Sequence, residues 1–164
     1  VDFNQGLQMG EALERCHVID DRGLAWIEEP ILYDNLEGHA RLAAELEHEF
    51  QRVGPGTVIA FIAETVVGAT SGCVAAEPGY FAAMREVCDR HGALLILDEI
   101  MGGMGRCGTM HTWEQESVTP DLQAVAKGLG AGYLPLGAML VSRRVMAALE
   151  QGGAGLAPGS MRGP

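Results

Sequence analysis

Positive charge is scarce in this sequence. Eleven Lys and Arg residues stand against 22 Asp and Glu, for a formal net charge of −11. Nucleic acids and anionic membranes both require a basic face, so neither is an expected partner. Long apolar runs are missing too. The best one, TVIAFIA at 57–63, stops at Glu64, far short of the ~20 residues that a membrane-spanning helix needs. No basic-then-apolar leader opens the chain, so the expectation is a cytoplasmic protein. The four cysteines, Cys16, Cys73, Cys88 and Cys107, form no C-x-x-C pair, and no histidine stands at zinc-ligand spacing. They are expected to be reduced and mostly buried thiols. The five histidines form no H-E-x-x-H, and His48, in ELEHEF, is expected on a solvated helix face.

What is present suffices for a core. The chain has 164 residues, 48% of them hydrophobic, which excludes a wholly disordered protein. Apolar positions at Met9, Leu13, Cys16 and Ile19 have a helical period, and GLAWI at 23–27 reads as a short strand. Residues 36–50 read as a helix, and VGPG at 53–56 as a turn. The continuous apolar run 57–63 predicts a strand of a parallel sheet covered on both faces. Pro78 is expected to start the next helix, with Phe81, Met84 and Cys88 as its buried stripe and Gly92 as its end. Strands are predicted at 93–97, 122–126 and 137–142, then a last helix over about 143–150. Strands alternating with helices argue an α/β architecture with a mostly parallel sheet.

The sharpest count concerns lysine. Of the eleven basic residues, ten are arginine and one, Lys127, is lysine. A guanidinium stays protonated, whereas a lysine amine can lose its proton and form an imine with an aldehyde. Lys127 follows an apolar strand and precedes GLGAG, at a strand end where open α/β sheets place their ligands. Asp98 also stands at the end of an apolar strand, in LLILDEI, 29 residues earlier. An amine and a carboxylate facing one cavity suit pyridoxal phosphate, because the carboxylate can keep the pyridine nitrogen protonated. Glu99, next to Asp98, points to the opposite side and is expected to serve loop structure.

Residues from about Leu46 to about Gln151 resemble the central part of the class III, fold-type-I, pyridoxal-phosphate-dependent aminotransferases. The LDE aspartate of that family corresponds to Asp98, and the lysine of its AKGLG motif to Lys127. Its glycine-rich loop corresponds to Gly103, Gly105, Arg106 and Gly108, and its PD pair to Pro120 and Asp121. The resemblance implies Lys127 as catalytic residue and Asp98 and Lys127 as cofactor-binding residues. It further implies an amine or amino acid and a 2-oxo acid as substrates, and a homodimer. Arg106 is expected to order its loop. The glycines Gly128, Gly130 and Gly132 are expected either to let the backbone approach the cofactor or to form a plain tight turn. Thr65 replaces the proline that follows the family's glutamate, here Glu64. Ala69 stands where ornithine and GABA enzymes carry an acidic residue, which points toward the branch acting on other amines. The family's phosphate-binding segments lie upstream of the resembling region, so an incomplete fragment is expected.

Residues 1–45 resemble something else, a βαβα piece of the mandelate racemase branch of the enolase superfamily. VDFNQ and WIEEP carry that resemblance, which implies Asp2 and Glu28 as Mg²⁺ ligands with Asn4 beside them. The third carboxylate and the catalytic lysine of that branch have no counterpart. The chain is therefore expected to divide at about 45/46, with 46–164 as the transferase part. Transamination is the expected function. Mg²⁺-dependent racemase or dehydratase chemistry and a non-catalytic remnant are the alternatives.

Overall fold

A computed structural model describes residues 36–68 and 72–153. The βαβα reading of residues 1–45 falls almost wholly outside them, as do Asp2, Asn4, Glu28, Ala69 and residues 154–164. Helix α1, Leu36–Val53, runs unbroken across the expected boundary at 45/46. Strand β1, Ala60–Glu64, follows the turn at Gly54, whose φ is +86°. Two short strands, β2 (Val66–Val67) and β3 (Val74–Ala75), pair antiparallel. Helix α2 spans Tyr80–His91 and β4 spans Leu94–Asp98. A long loop with one 3-10 turn, Thr112–Glu114, leads to β5, Leu122–Val125. A second 3-10 turn, Lys127–Gly130, precedes β6 (Ala138–Val141) and helix α3 (Arg143–Gly153).

The main sheet has the order β1-β4-β5-β6. β1 and β5 flank β4 in parallel, and β6 runs antiparallel to β5. The α/β, mostly parallel expectation therefore holds. The expected stripe of α2 is also found: Phe81, Met84 and Cys88 are fully buried, joined by Val87. Phe81, Val87 and Cys88 pack with Phe50 of α1 and with Leu95 and Leu97 of β4. Burying a leucine of this kind stabilises the fold by about 2 kcal/mol. Gly92 closes α2 in the left-handed conformation, and Ala93 N–H returns to the Cys88 carbonyl at 2.9 Å.

Several expectations are corrected. Pro78 does not open α2; Gly79, at φ +89°, breaks the backbone path and the helix begins at Tyr80. The sheet is not covered on both faces among the described residues. Helices α1 and α2 both pack on the Leu95/Leu97 side, and Ile62 and all four residues of β6 stay exposed. Of the three cysteines among the described residues, one is buried: Cys88 is, Cys107 is half-buried, and Cys73 is exposed at the left-handed turn that leads into β3, while Cys16 lies outside the described residues. All three are free thiols. His48 is exposed on α1, as expected. No helix among the described residues is long and apolar enough to cross a membrane.

Candidate functional site

Three strand ends align at one edge of the sheet. In the parallel register Glu64 of β1 lies opposite Asp98 of β4, and Asp98 lies opposite Ala124 of β5. Register partners in parallel strands project to the same face. Glu64 and Asp98 therefore leave the sheet on the side that α1 and α2 do not cover. Asp98 Oδ1 accepts the Ile100 N–H at 2.8 Å, which fixes the carboxylate against its own backbone. Glu64 accepts the Gly68 N–H at 3.0 Å.

Lys127 comes one residue after the end of β5, past the same edge. Its backbone is unusual. At φ +41° it occupies the left-handed region, which costs a non-glycine residue about 1–2 kcal/mol. The turn that imposes this conformation is tied by Leu129 N–H to the Ala126 carbonyl at 3.0 Å and by Ala131 N–H to the Gly128 carbonyl at 3.1 Å. Strain of this kind persists only where surrounding contacts hold it, and it concentrates at functional sites. The Lys127 amine is exposed and donates to the Met101 thioether. Met101 in turn lies over Gly68, where an added Cβ would sit 2.5 Å from Met101 Cγ.

Glycine usage follows close approach. A Cβ on Gly128 would come within 3.0 Å of Met104 Cβ, so the lysine turn lies against the glycine-rich loop. A Cβ on Gly103 would meet the Glu99 carbonyl oxygen at 2.8 Å. Gly130 makes only ordinary contacts, and Gly132 is at φ +79°. Of the two expectations for these glycines, the tight turn describes Gly132, whereas Gly128 serves backbone approach to a protein loop. The Arg106 side chain is exposed.

Behind this edge, on the opposite face, lies a buried polar cluster. Glu99 has no exposed surface. Its Oε1 accepts from Thr65 Oγ1 at 3.1 Å and from Trp113 N–H at 2.8 Å. Its Oε2 accepts from Thr112 N–H at 3.0 Å and from Gln123 Nε2 at 2.6 Å. Gln123 also accepts from the Trp113 indole at 3.1 Å and contacts His111 Nδ1 at 2.9 Å. The His111 and Trp113 rings stack at 5.4 Å. Glu99 thus serves loop structure, as expected. Gln123 escaped the sequence reading, although a glutamine inside the apolar strand LQAVA was a usable signal of a buried polar partner.

Asp121 anchors the far end of β5. It is buried and accepts Arg85 at 2.8 Å, Arg144 at 2.7 Å and the Leu95 N–H at 2.9 Å. Burial pushes its carboxyl up, but the Leu95 N–H and the two guanidinium groups outweigh that and hold it below the ordinary aspartate value. The PD pair is therefore a clamp that joins α2, β4, β5 and α3. Among the described residues no group of acidic, histidine or cysteine side chains is arranged to hold a metal ion. The Mg²⁺ alternative rests on Asp2 and Glu28, which lie outside them.

The family profile "Aminotransferase class-III" matches residues 25–159, starting upstream of the expected boundary at 45/46. An aminotransferase of Gibberella zeae is 60% identical over 112 residues, which are 68% of this chain and 22% of that protein. An uncharacterized aminotransferase of Schizosaccharomyces pombe is 58% identical over 118 residues, 72% of this chain and 26% of the relative. The crystal structure of a thermostable (S)-enantioselective omega-transaminase from Thermomicrobium roseum superposes with a TM-score of 0.68 at 41% identity. That match covers 78% of this chain and 28% of the transaminase. The chain thus spans about a quarter of the length of these relatives. The resemblance of residues 1–45 to the enolase superfamily finds no support in these comparisons. On the match over residues 25–159, this chain belongs to the class-III aminotransferase family.

Proposed function

We propose that this chain carries the lysine and the acidic partner of a pyridoxal phosphate site. It would do so within a transaminase that moves an amino group from an amine or amino acid to a 2-oxo acid. The observation that carries the proposal is the placement of the sole lysine in a left-handed turn, one strand over from Asp98 and past the same sheet edge.

The residues fit that cofactor. Lys127 offers a primary amine for covalent attachment to an aldehyde, which none of the ten arginines can do. Asp98 offers a strand-end carboxylate, oriented by the Ile100 N–H, that can hold a proton on a ring nitrogen. When bound, pyridoxal phosphate supplies an electron sink for negative charge at the substrate α-carbon. Lys127, when its amine is free, would serve as the base that takes the proton from the substrate α-carbon and delivers it to C4′ of the cofactor. Such a base works best when partly withdrawn from water. Lys127 is exposed among the described residues, so shielding it from water falls to residues outside them. The open sheet face supports the same reading, since parallel sheets are normally covered on both sides. A homodimer in the cytoplasm is the proposed setting.

Titrating the 164-residue chain with pyridoxal phosphate tests the proposal. A visible absorption band in the native chain that is absent in Lys127→Ala supports it. Equal spectra of the two proteins refute it.

A further inference from the structure

We propose that Glu99 is a positioning residue for Lys127, acting through the loop 100–113 that lies between them. The inference rests on the reading of Lys127 as the cofactor-bearing amine, but its test does not need the cofactor.

Glu99 is unusually placed for an acidic residue. Fully buried carboxylates are rare unless paired with a cation, and no basic side chain among the described residues pairs with this one. Four donors instead occupy the acceptor positions of its two oxygens: Thr65 Oγ1, Trp113 N–H, Thr112 N–H and Gln123 Nε2. Two of the donors are backbone groups at the far end of the loop, and Gly103 N–H returns to the Glu99 carbonyl at 2.9 Å near its start. The loop is therefore pinned at two points to one residue. It presents Met101 just before the first of those points and Met104 just after it. Met101 receives the Lys127 amine, and Met104 lies against Gly128, the next residue of the lysine turn. Met104 is itself held in the left-handed region at φ +57°, with its N–H donated to the Met110 carbonyl at 2.8 Å. Met104 and Lys127 are both held in the left-handed region, and the buried carboxylate anchors the segment that lays Met104 against the lysine turn at Gly128 and brings Met101 to the Lys127 amine.

The chain's single lysine makes the consequence readable. Reductive methylation with ¹³C-formaldehyde labels Lys127 as the only side-chain amine. Its signal is separable from that of the α-amine. In the native chain the Lys127 signal is expected away from its position in urea. In Glu99→Gln, and in Thr65→Val, it moves to or toward the urea position, whereas Thr65→Ser keeps the native signal. Exchange of the Leu129 amide speeds up by roughly tenfold, the factor set by losing one hydrogen bond to a charged group. Amides of β4 and β5 keep their native exchange rates. If Glu99→Gln does not fold, the pair Thr65→Val and Thr65→Ser decides. A native Lys127 signal in folded Glu99→Gln or in Thr65→Val overturns the inference. So does a native chain whose Lys127 signal already matches that in urea, or exchange that rises equally throughout the sheet. Failure of the native chain to bind pyridoxal phosphate would refute the proposed function and leave this result standing.

Discussion

Arg85 of α2 reaches Asp121 across 2.8 Å, and both side chains are largely removed from water. The pair connects the helix layer to the start of β5, the strand that leads to the lysine turn. Arg85 bonds Asp89 as well, at 2.7 Å, and Asp121 holds Arg144 on its other oxygen. Removing the carboxylate would leave a guanidinium in a half-closed site with only the exposed Asp89 to meet it.

The first prediction follows directly. Asp121→Ala should destabilise the chain by about 3 kcal/mol, the usual cost of breaking a buried pair from one side. Asp121→Asn keeps the shape and one acceptor, and should cost less. Denaturant unfolding of the three proteins measures the order.

Acid should weaken the contact between α1 and α2. Glu47 accepts from His91 at 2.8 Å, from Arg90 at 2.7 Å and from Gln51 at 2.7 Å. These bonds, His91 first, hold its carboxyl down at about 2, below the ordinary value of 4.5. A depressed carboxyl contributes stability that is complete above its unfolded value and is lost as pH falls through its folded value. Stability should therefore drop between pH 4.5 and 2, and Glu47→Gln should flatten that part of the curve. Asp121, also held low, adds to the same acid limb. Melting the native chain and Glu47→Gln across this range checks the sign.

Two glycines should respond oppositely to alanine. A Cβ on Gly103 would lie 2.8 Å from the Glu99 carbonyl, and backbone must move to admit it. Gly103→Ala should cost about 2 kcal/mol, as overpacking does. Gly152, inside α3, has nothing within 4 Å of the added atom. Gly152→Ala should instead stabilise by about 0.5 kcal/mol through helix propensity. Thermal melts of both variants give the comparison.

Much of this was legible locally. The period of Phe81, Met84 and Cys88 marked the buried face of α2, and Gly92 marked its end, because both signals lie within a few residues of each other. Apolar runs located β1, β4, β5 and β6 to within a few residues. Lys127 stood out by count alone. What escaped depends on partners distant in sequence. The three groups that hold Asp121 come from residues 85, 95 and 144, and those that hold Glu99 from residues 65, 112, 113 and 123. No local pattern encodes such pairings. The hairpin of β2 and β3 is only two residues long on each side, too short for alternation to register. Pro78 misled because the left-handed Gly79 next to it overrides the proline's preference for a helix start.

The central claim is that Lys127 and Asp98 together hold a pyridine aldehyde. Borohydride reduction of the chain after incubation with pyridoxal phosphate, followed by peptide mapping, measures it most directly. The account predicts a pyridoxyl group on the peptide containing Lys127, reduced in yield in Asp98→Asn and lost in Lys127→Ala. A chain that carries no pyridoxyl group at Lys127, or whose yield there is unchanged in Asp98→Asn, would contradict it.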